Sequence, residues 1–180
     1  LRKPTPVLTC RWDVKNESGF RKGVEEADAP HPLTYFQCRT AAKGDTMRNF
    51  IIGDVHGMLP ELTSLIQTLN PQPEDQITFV GDLVDKGDDS PGVVRFVREL
   101  SQTHNVVVVE GNHESKHKQH RKNLSKGKIR EGEINEITKS LSSEDIEFMD
   151  SFMPFHRIPE HGVVVVHGGI SGNLEHFPES

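Results

Sequence analysis

Cysteine is almost missing from this chain: Cys10 and Cys38 are the only thiols in 180 residues. Two thiols in a chain of this length read as free, which points to a reducing, cytoplasmic setting. No Cys-x-x-Cys pair is present, which argues against a structural zinc site. Aromatic side chains are few, with one Trp, one Tyr and nine Phe. They are not interleaved with basic residues, so no specific nucleic-acid signature is present. Positive charge is in deficit, 21 Lys and Arg against 27 Asp and Glu for a formal net charge of -6, so nothing draws the whole chain to nucleic acid or to an anionic membrane. The longest apolar runs, Val106 to Val109 and Val163 to Val166, are far too short to span a bilayer, and no signal-type segment opens the chain. With hydrophobic residues at 33%, the core of what reads as a single domain must come from a few such runs.

Those runs begin late. Residues 1–47 scatter Pro4, Pro6, Pro30 and Pro32 among charges without a period of 2 or 3.6, which predicts a loop, a linker or a poorly ordered arm. Trp12 and Tyr35 lie there and read as hydrophobic anchors. From residue 48 the pattern changes. Strands are expected over Asn49 to Gly53, Gln76 to Gly81 and Asn105 to Glu110. Between them come amphipathic helices, one from Pro60 to Leu69 and one capped and opened by Ser90-Pro91, with Val93, Val94, Val97 and Leu100 at helical spacing. A further helix from Ser143 to about Phe152 precedes paired strands at Phe155 to Ile158 and Gly162 to His167. Alternating strand and helix predicts a parallel sheet covered by helices, an α/β fold.

Each apolar strand runs straight into glycine and metal-type ligands. The successive blocks are Gly53-Asp-Val-His-Gly57, Gly81-Asp-Leu-Val-Asp-Lys-Gly87, Gly111-Asn-His-Glu114 and His167-Gly-Gly-Ile170. The C-terminal ends of parallel strands lie along one sheet edge, so residues more than a hundred positions apart can meet there. Carboxylate, imidazole and amide oxygen suit divalent manganese, iron or zinc. Two such ions about 3.5–4 Å apart, sharing a carboxylate, would clamp a phosphoryl group and supply hydroxide as nucleophile. Each residue also has a plain reading, with Asp54 as a helix cap and Asp82, Asp85 and Asn112 as turn residues. Four coincidences at four strand ends would be needed for all of these.

The ordered blocks GDVHG, GDLVDKG, GNHE and VHGGI resemble the calcineurin-like metallophosphoesterase superfamily, in the branch holding Ser/Thr phosphoprotein phosphatases and diadenosine tetraphosphate hydrolases. The match covers roughly residues 48 to 172. The resemblance implies a four-layer α/β/β/α sandwich over residues 48–180 and hydrolysis of a phosphate ester or anhydride, on a nucleotide, another phosphorylated small molecule or a phosphoprotein. It implies Asp54 and His56 as ligands of a first metal, Asp82 as the bridging carboxylate, and Asn112 and His167 as ligands of a second. It further implies His113 as general acid oriented by Asp85, and Lys86 and Asn112 as phosphate contacts. The protein phosphatases carry Arg where this chain has Lys86, and a Lys point charge does not replace a bidentate guanidinium. That difference favours the nucleotide hydrolases.

Three further expectations follow. His113-Glu114-x-x-His117 matches the zinc-protease helix pattern, but His113 directly follows a Gly-Asn turn that closes a strand. The match is read as accidental, with His117 facing solvent. Lys116, Lys118, Arg121, Lys122, Lys126, Lys128 and Arg130 are read first as a solvated face and second as a guide for anionic substrate. Family members carry a further metal-binding His and, in the phosphatase branch, a phosphate-binding Arg well downstream of the HGG block. Only thirteen residues follow His167 and His176 is read as a surface residue, so the second sheet is expected to be incomplete and the chain truncated. The alternative function is a catalytically impaired binding or scaffolding domain. The oligomeric state is left open.

Overall fold

The computed structural model describes residues 7–9, 24–26, 33–39, 47–128 and 132–169. The apolar run of β4 (Arg48–Ile52) is buried on both faces because it lies between two cores. Phe50 and Ile52 point into a core shared with the helices, while Ile51 points the other way, to Val80, Val109, Ile158, Val163 and Val165. This alternation is the period-2 geometry of a strand that separates two layers. β5 (Gln76–Phe79) and β6 (Asn105–Val108) follow β4 in parallel register, Phe50 against Ile77 and Ile77 against Val106.

The crossovers are the expected helices. α1 (Leu59–Leu69) carries Pro60 in its first turn and buries Leu62, Leu65, Ile66 and Leu69. It stops at Asn70, whose left-handed backbone (φ 42°) turns its N–H back to the Ile66 carbonyl. α2 (Ser90–Leu100) buries Val93, Val94 and Val97. Its cap differs from the sequence reading: Asp89 Oδ1 accepts from Gly92 N at 2.8 Å, so Asp89 is the N-cap and Ser90 lies inside the helix. The Ser90 hydroxyl instead accepts from Asp85 N at 2.8 Å. After α3 (Asn112–Leu124) come α4 (Glu133–Ser140), which the sequence reading did not expect, and α5 (Ser143–Asp150), held to α2 by Arg98 Nε on buried Asp145 at 2.9 Å. Burial works to raise the Asp145 pKa, but the Ser142 hydroxyl and Arg98 outweigh it and hold the carboxyl below its ordinary value.

The paired strands β7 (Phe155–Ile158) and β8 (Val163–Val166) are antiparallel and form the second sheet, in the order β1-β8-β7. Three short strands fall within residues 1–47, where the sequence reading expected a loop or arm. β1 (Val7–Thr9) runs parallel to β8, while β2 (Val24–Glu26) and β3 (Tyr35–Arg39) extend the main sheet antiparallel on the free edge of β4. The sheet is therefore mixed, in the order β2-β3-β4-β5-β6. No local period marks these strands, because strands of three to five residues become regular by pairing with an edge already formed. Tyr35 packs on the helical core and Phe36 on the intersheet core, so Tyr35 does anchor; Trp12 and His176 lie outside the described residues. The helices, the five-stranded sheet and the three-stranded sheet form a mixed α/β layering with parallel strands at its centre. Among the described residues no helix is long and apolar enough to cross a membrane.

Candidate metal centre

The loops after β4 and β5 are laced together by their backbones. Val55 N and His56 N both donate to the Asp82 carbonyl (3.1 and 2.9 Å), and Gly57 N donates to the Leu83 carbonyl at 2.8 Å. Asp89 N closes the set on the Gly57 carbonyl at 3.0 Å. Four non-glycine residues in these loops sit in the left-handed region: His56 (φ 49°), Asp82 (φ 51°), Asp85 (φ 68°) and Lys86 (φ 68°). Each such conformation costs on the order of 1–3 kcal/mol and persists only where the surroundings over-determine it. All four are residues the sequence analysis assigned to the site.

At Asp82 one of the groups that over-determine the backbone is Glu114. Its buried carboxylate accepts from Leu83 N at 2.7 Å through Oε1, and from Asp82 N and Gly111 N, each at 2.9 Å, through Oε2. One side chain thus holds the turn after β5 to the turn that starts α3. Burial raises its pKa above the ordinary carboxylate value, the N–H groups of Leu83 and Asp82 offset part of that, and the Asp82 charge adds to it. The sequence reading gave Glu114 no role, although a Glu three residues past a helix-capping Gly is a capping signal in itself. The approach is close enough that glycine is required at 111: a Cβ there would lie 2.3 Å from Asp82 Oδ1 and 2.4 Å from Asp82 N. Gly111→Ala is expected to cost at least about 2 kcal/mol, the scale of overpacking a tight interior, and to weaken metal binding. Denaturant midpoints and metal titration of the variant check this; wild-type values for both would refute the close approach.

Five expected ligands meet at this rim. His56 Nε2 lies 3.6 Å from Asp54 Oδ2 and 3.7 Å from Asp82 Oδ2, and His167 Nε2 lies 3.5 Å from Asp82 Oδ1 and 3.0 Å from Asn112 Oδ1. The ligand atoms form two overlapping groups, His56–Asp82–His113 and Asp54–Asp82–His167, each with its atoms within 4.8 Å of one another and with Asp82 common to both. Asp54 therefore stands close to both groups and not only to His56. The imidazoles are turned for metal binding. His56 Nδ1 faces the Val84 carbonyl at 3.0 Å and His167 Nδ1 faces the Val80 carbonyl at 3.1 Å. A carbonyl only accepts, so each Nδ1 carries a proton, which leaves Nε2 as the ring nitrogen that could offer a lone pair inward to a metal. His167 Nε2 and Asn112 Oδ1, 3.0 Å apart, are a nitrogen and an oxygen that a divalent cation could take together. At His56 Nε2 the Lys86 ammonium supplies the positive charge, donating at 2.8 Å.

His113 stands beside this group, its ring edge-on to His56 with centroids 4.9 Å apart. Its Nδ1 lies 2.6 Å from Asp85 Oδ2 and its Nε2 3.9 Å from Asp82 Oδ2, while its backbone N–H donates to Asp82 Oδ1 at 3.0 Å. Asp85 Oδ1 is taken by His117 Nε2 at 2.8 Å. His117 is fully buried, which corrects the expectation of a solvent-facing residue: the face of α3 that carries it packs on α4, where Thr138 Oγ1 lies 3.2 Å from His117 Nδ1. The His113-x-x-x-His117 pair does share one helical face, but it grips a carboxylate, and Glu114 is committed to backbone N–H groups. Burial works to raise the Asp85 pKa, and the bonds from His117 and then His113 outweigh it and hold the carboxyl below its ordinary value. Of the basic residues after His113, Lys118 pairs with Glu110 at 3.3 Å and Arg121 with Asp150, while Lys116, Lys122, Lys126 and Lys128 are exposed. Arg130 lies outside the described residues.

A mixed α/β scaffold with Asp, His and Asn side chains gathered at its strand ends defines the class. The family described as calcineurin-like phosphoesterase matches residues 47–179, and the chain belongs to it. It is 33% identical over 130 residues to a symmetrical bis(5'-nucleosyl)-tetraphosphatase of Psychromonas ingrahamii, covering 69% of this chain and 45% of that protein. Over 69 residues it is 45% identical to the protein of the same name in Pectobacterium atrosepticum, 38% of this chain and 24% of that one. Among solved structures, that of a candidate diadenosine tetraphosphatase aligns with a TM-score of 0.61 at 31% identity, covering 74% of this chain and 55% of that chain. The chain thus spans about half the length of the curated relatives it matches. The residues present suit a divalent metal site.

Proposed function

We propose that this chain carries the metal site of a phosphohydrolase acting on dinucleoside polyphosphates. The observation that carries the reading is Asp82, a buried carboxylate shared by two ligand groups in which His56 and His167 turn Nε2 inward. Asp54 and His56, with Asp82, would hold one divalent ion, and Asn112 and His167, again with Asp82, a second; manganese is proposed, with iron or zinc as substitutes. When bound, the ions supply charge neutralisation at the phosphoryl oxygens and a water acidified for attack.

The chain's own residues do the rest. Asp85 keeps the His113 ring oriented through Nδ1, so that Nε2 can deliver a proton to the oxygen leaving phosphorus. Lys86, exposed at the rim, contributes a mobile positive charge to a phosphate chain, and the Asn112 amide a further polar contact. Lys86 in place of arginine, together with relatives named as tetraphosphatases, supports a nucleotide over a phosphoprotein. The test is hydrolysis of diadenosine tetraphosphate against a phosphopeptide, with manganese present. Preferential turnover of the dinucleotide, with two nucleoside diphosphates as products, is expected. Preference for the phosphopeptide would overturn the substrate class, and failure to bind two ions per chain would favour a binding or scaffolding domain.

A further inference from the structure

Besides Glu114, four buried polar side chains of α3 and α4 have no part in the ligand set: His117, His120, Asn135 and Thr138. His120 Nε2 meets Asn135 Oδ1 at 3.4 Å within the α3–α4 interface. His117 is different, because one of its nitrogens reaches the machinery described above. A carboxylate turns about its last side-chain bond in a broad, roughly two-fold well, so an aspartate held at one oxygen does not define a plane. Asp85 is held at both, Oδ2 by His113 at 2.6 Å and Oδ1 by His117 at 2.8 Å, and its own N–H is taken by Ser90 Oγ at 2.8 Å.

We propose that His117 is a positioning residue for this reaction: by donating Nε2–H to Asp85 Oδ1 it fixes the carboxylate plane in which Oδ2 receives His113 Nδ1–H, and so aims His113 Nε2 at the ligand cluster. The inference rests on the acid role of His113 given under Proposed function. Its protonation state is consistent with the geometry. Burial lowers the His117 pKa, opposed by Asp85, so the ring is neutral with its proton on Nε2 and a lone pair on Nδ1. Thr138 Oγ1 stands within reach of that lone pair at 3.2 Å and of the Ile134 carbonyl at 2.6 Å. Its single hydrogen serves one of them, and the Ile134 carbonyl, inside α4, keeps a backbone donor when the hydroxyl turns to His117. Thus α4 takes part in the site through His117 without touching a ligand.

Two readouts test this. In the metal-free chain, the His113 Nδ1 proton should appear as a slowly exchanging downfield proton resonance. His117→Leu should broaden or lose it, while His117→Gln, whose amide still donates to Asp85 Oδ1, should retain it. An unchanged resonance in His117→Leu overturns the inference. In kinetics, a positioner of the acid matters most when the leaving oxygen is basic. His117→Leu should therefore lose kcat about 10- to 100-fold further with phenyl phosphate than with p-nitrophenyl phosphate, the range for loss of an outer hydrogen-bond partner, with KM little changed and His117→Gln close to wild type. A loss equal for both substrates would mark a merely structural role and overturn the inference. His113→Ala separates the two claims. If it shows leaving-group selectivity and His117→Leu does not, the inference alone fails; if His113→Ala shows none, the acid role fails and takes the inference with it. Should His117→Leu not fold, Thr138→Val, which removes only the hydroxyl facing Nδ1, is expected to broaden the same resonance, and an unaltered one overturns the proposal.

Discussion

Asp82→Asn is expected to leave the chain folded and to remove the metal centre. The amide oxygen of Asn can still accept the His113 backbone N–H that Asp82 Oδ1 now takes at 3.0 Å, so the start of α3 keeps its tie. Loss of the charge also relieves the repulsion by which Asp82 helps raise the Glu114 pKa. The melting temperature should therefore move little. Metal affinity should fall by more than the about 10- to 100-fold that an outer-shell partner is worth, because the shared ligand of both groups has lost its charge. With the metal contribution to the transition state worth several kcal/mol, hydrolysis of p-nitrophenyl phosphate should drop by about a thousandfold or more. Calorimetric titration with Mn²⁺ and a rate assay on the same sample check both. An Asn variant that binds two ions with wild-type affinity would sink the shared-ligand reading.

Glu114→Ala should do the opposite, damaging the fold first and the site through it. Three backbone N–H groups, those of Leu83, Asp82 and Gly111, would lose the carboxylate they donate to in a buried place. Each orphaned buried donor costs about 1–3 kcal/mol, so a loss of at least about 3 kcal/mol is expected. For a domain of this size that corresponds to a fall in melting temperature of roughly 6–12 °C. With the Glu114 tie to the Asp82 and Leu83 N–H groups gone, Asp82 keeps only the bonds to its carbonyl from Val55 N and His56 N and to its side chain from His113 N, and metal affinity should fall with stability. Glu114→Gln should lie between the two, since one oxygen remains and the amide group faces a donor. Thermal melting with and without Mn²⁺ separates these outcomes; an alanine variant melting with the wild type would show that the strained loops are held by something other than Glu114.

The contrast between these two residues shows what could be read from the sequence. Asp82 was legible because it stands in a local pattern, an apolar run followed by Gly and a ligand, repeated at four strand ends. Glu114 has a local signal as well, but its partners Asp82 and Leu83 lie some thirty residues upstream. His117 misled, because on α3 its charged neighbours suggest solvent, whereas α4, a short helix that follows the charged stretch, covers that face.

The strands from β4 onward, the crossover helices and the ligand-type blocks at the strand ends could be read from the sequence itself, since side-chain period, glycine turns and metal-type residues are properties of a few adjacent positions. Tertiary structure alone decided that β1, β2 and β3 join the sheets, that Glu114 clamps two turns, and that the His113 and His117 pair closes on Asp85 and not on zinc. Those outcomes depend on which surfaces meet in space: an edge strand, a buried carboxylate and a covered imidazole acquire their roles from partners distant along the chain.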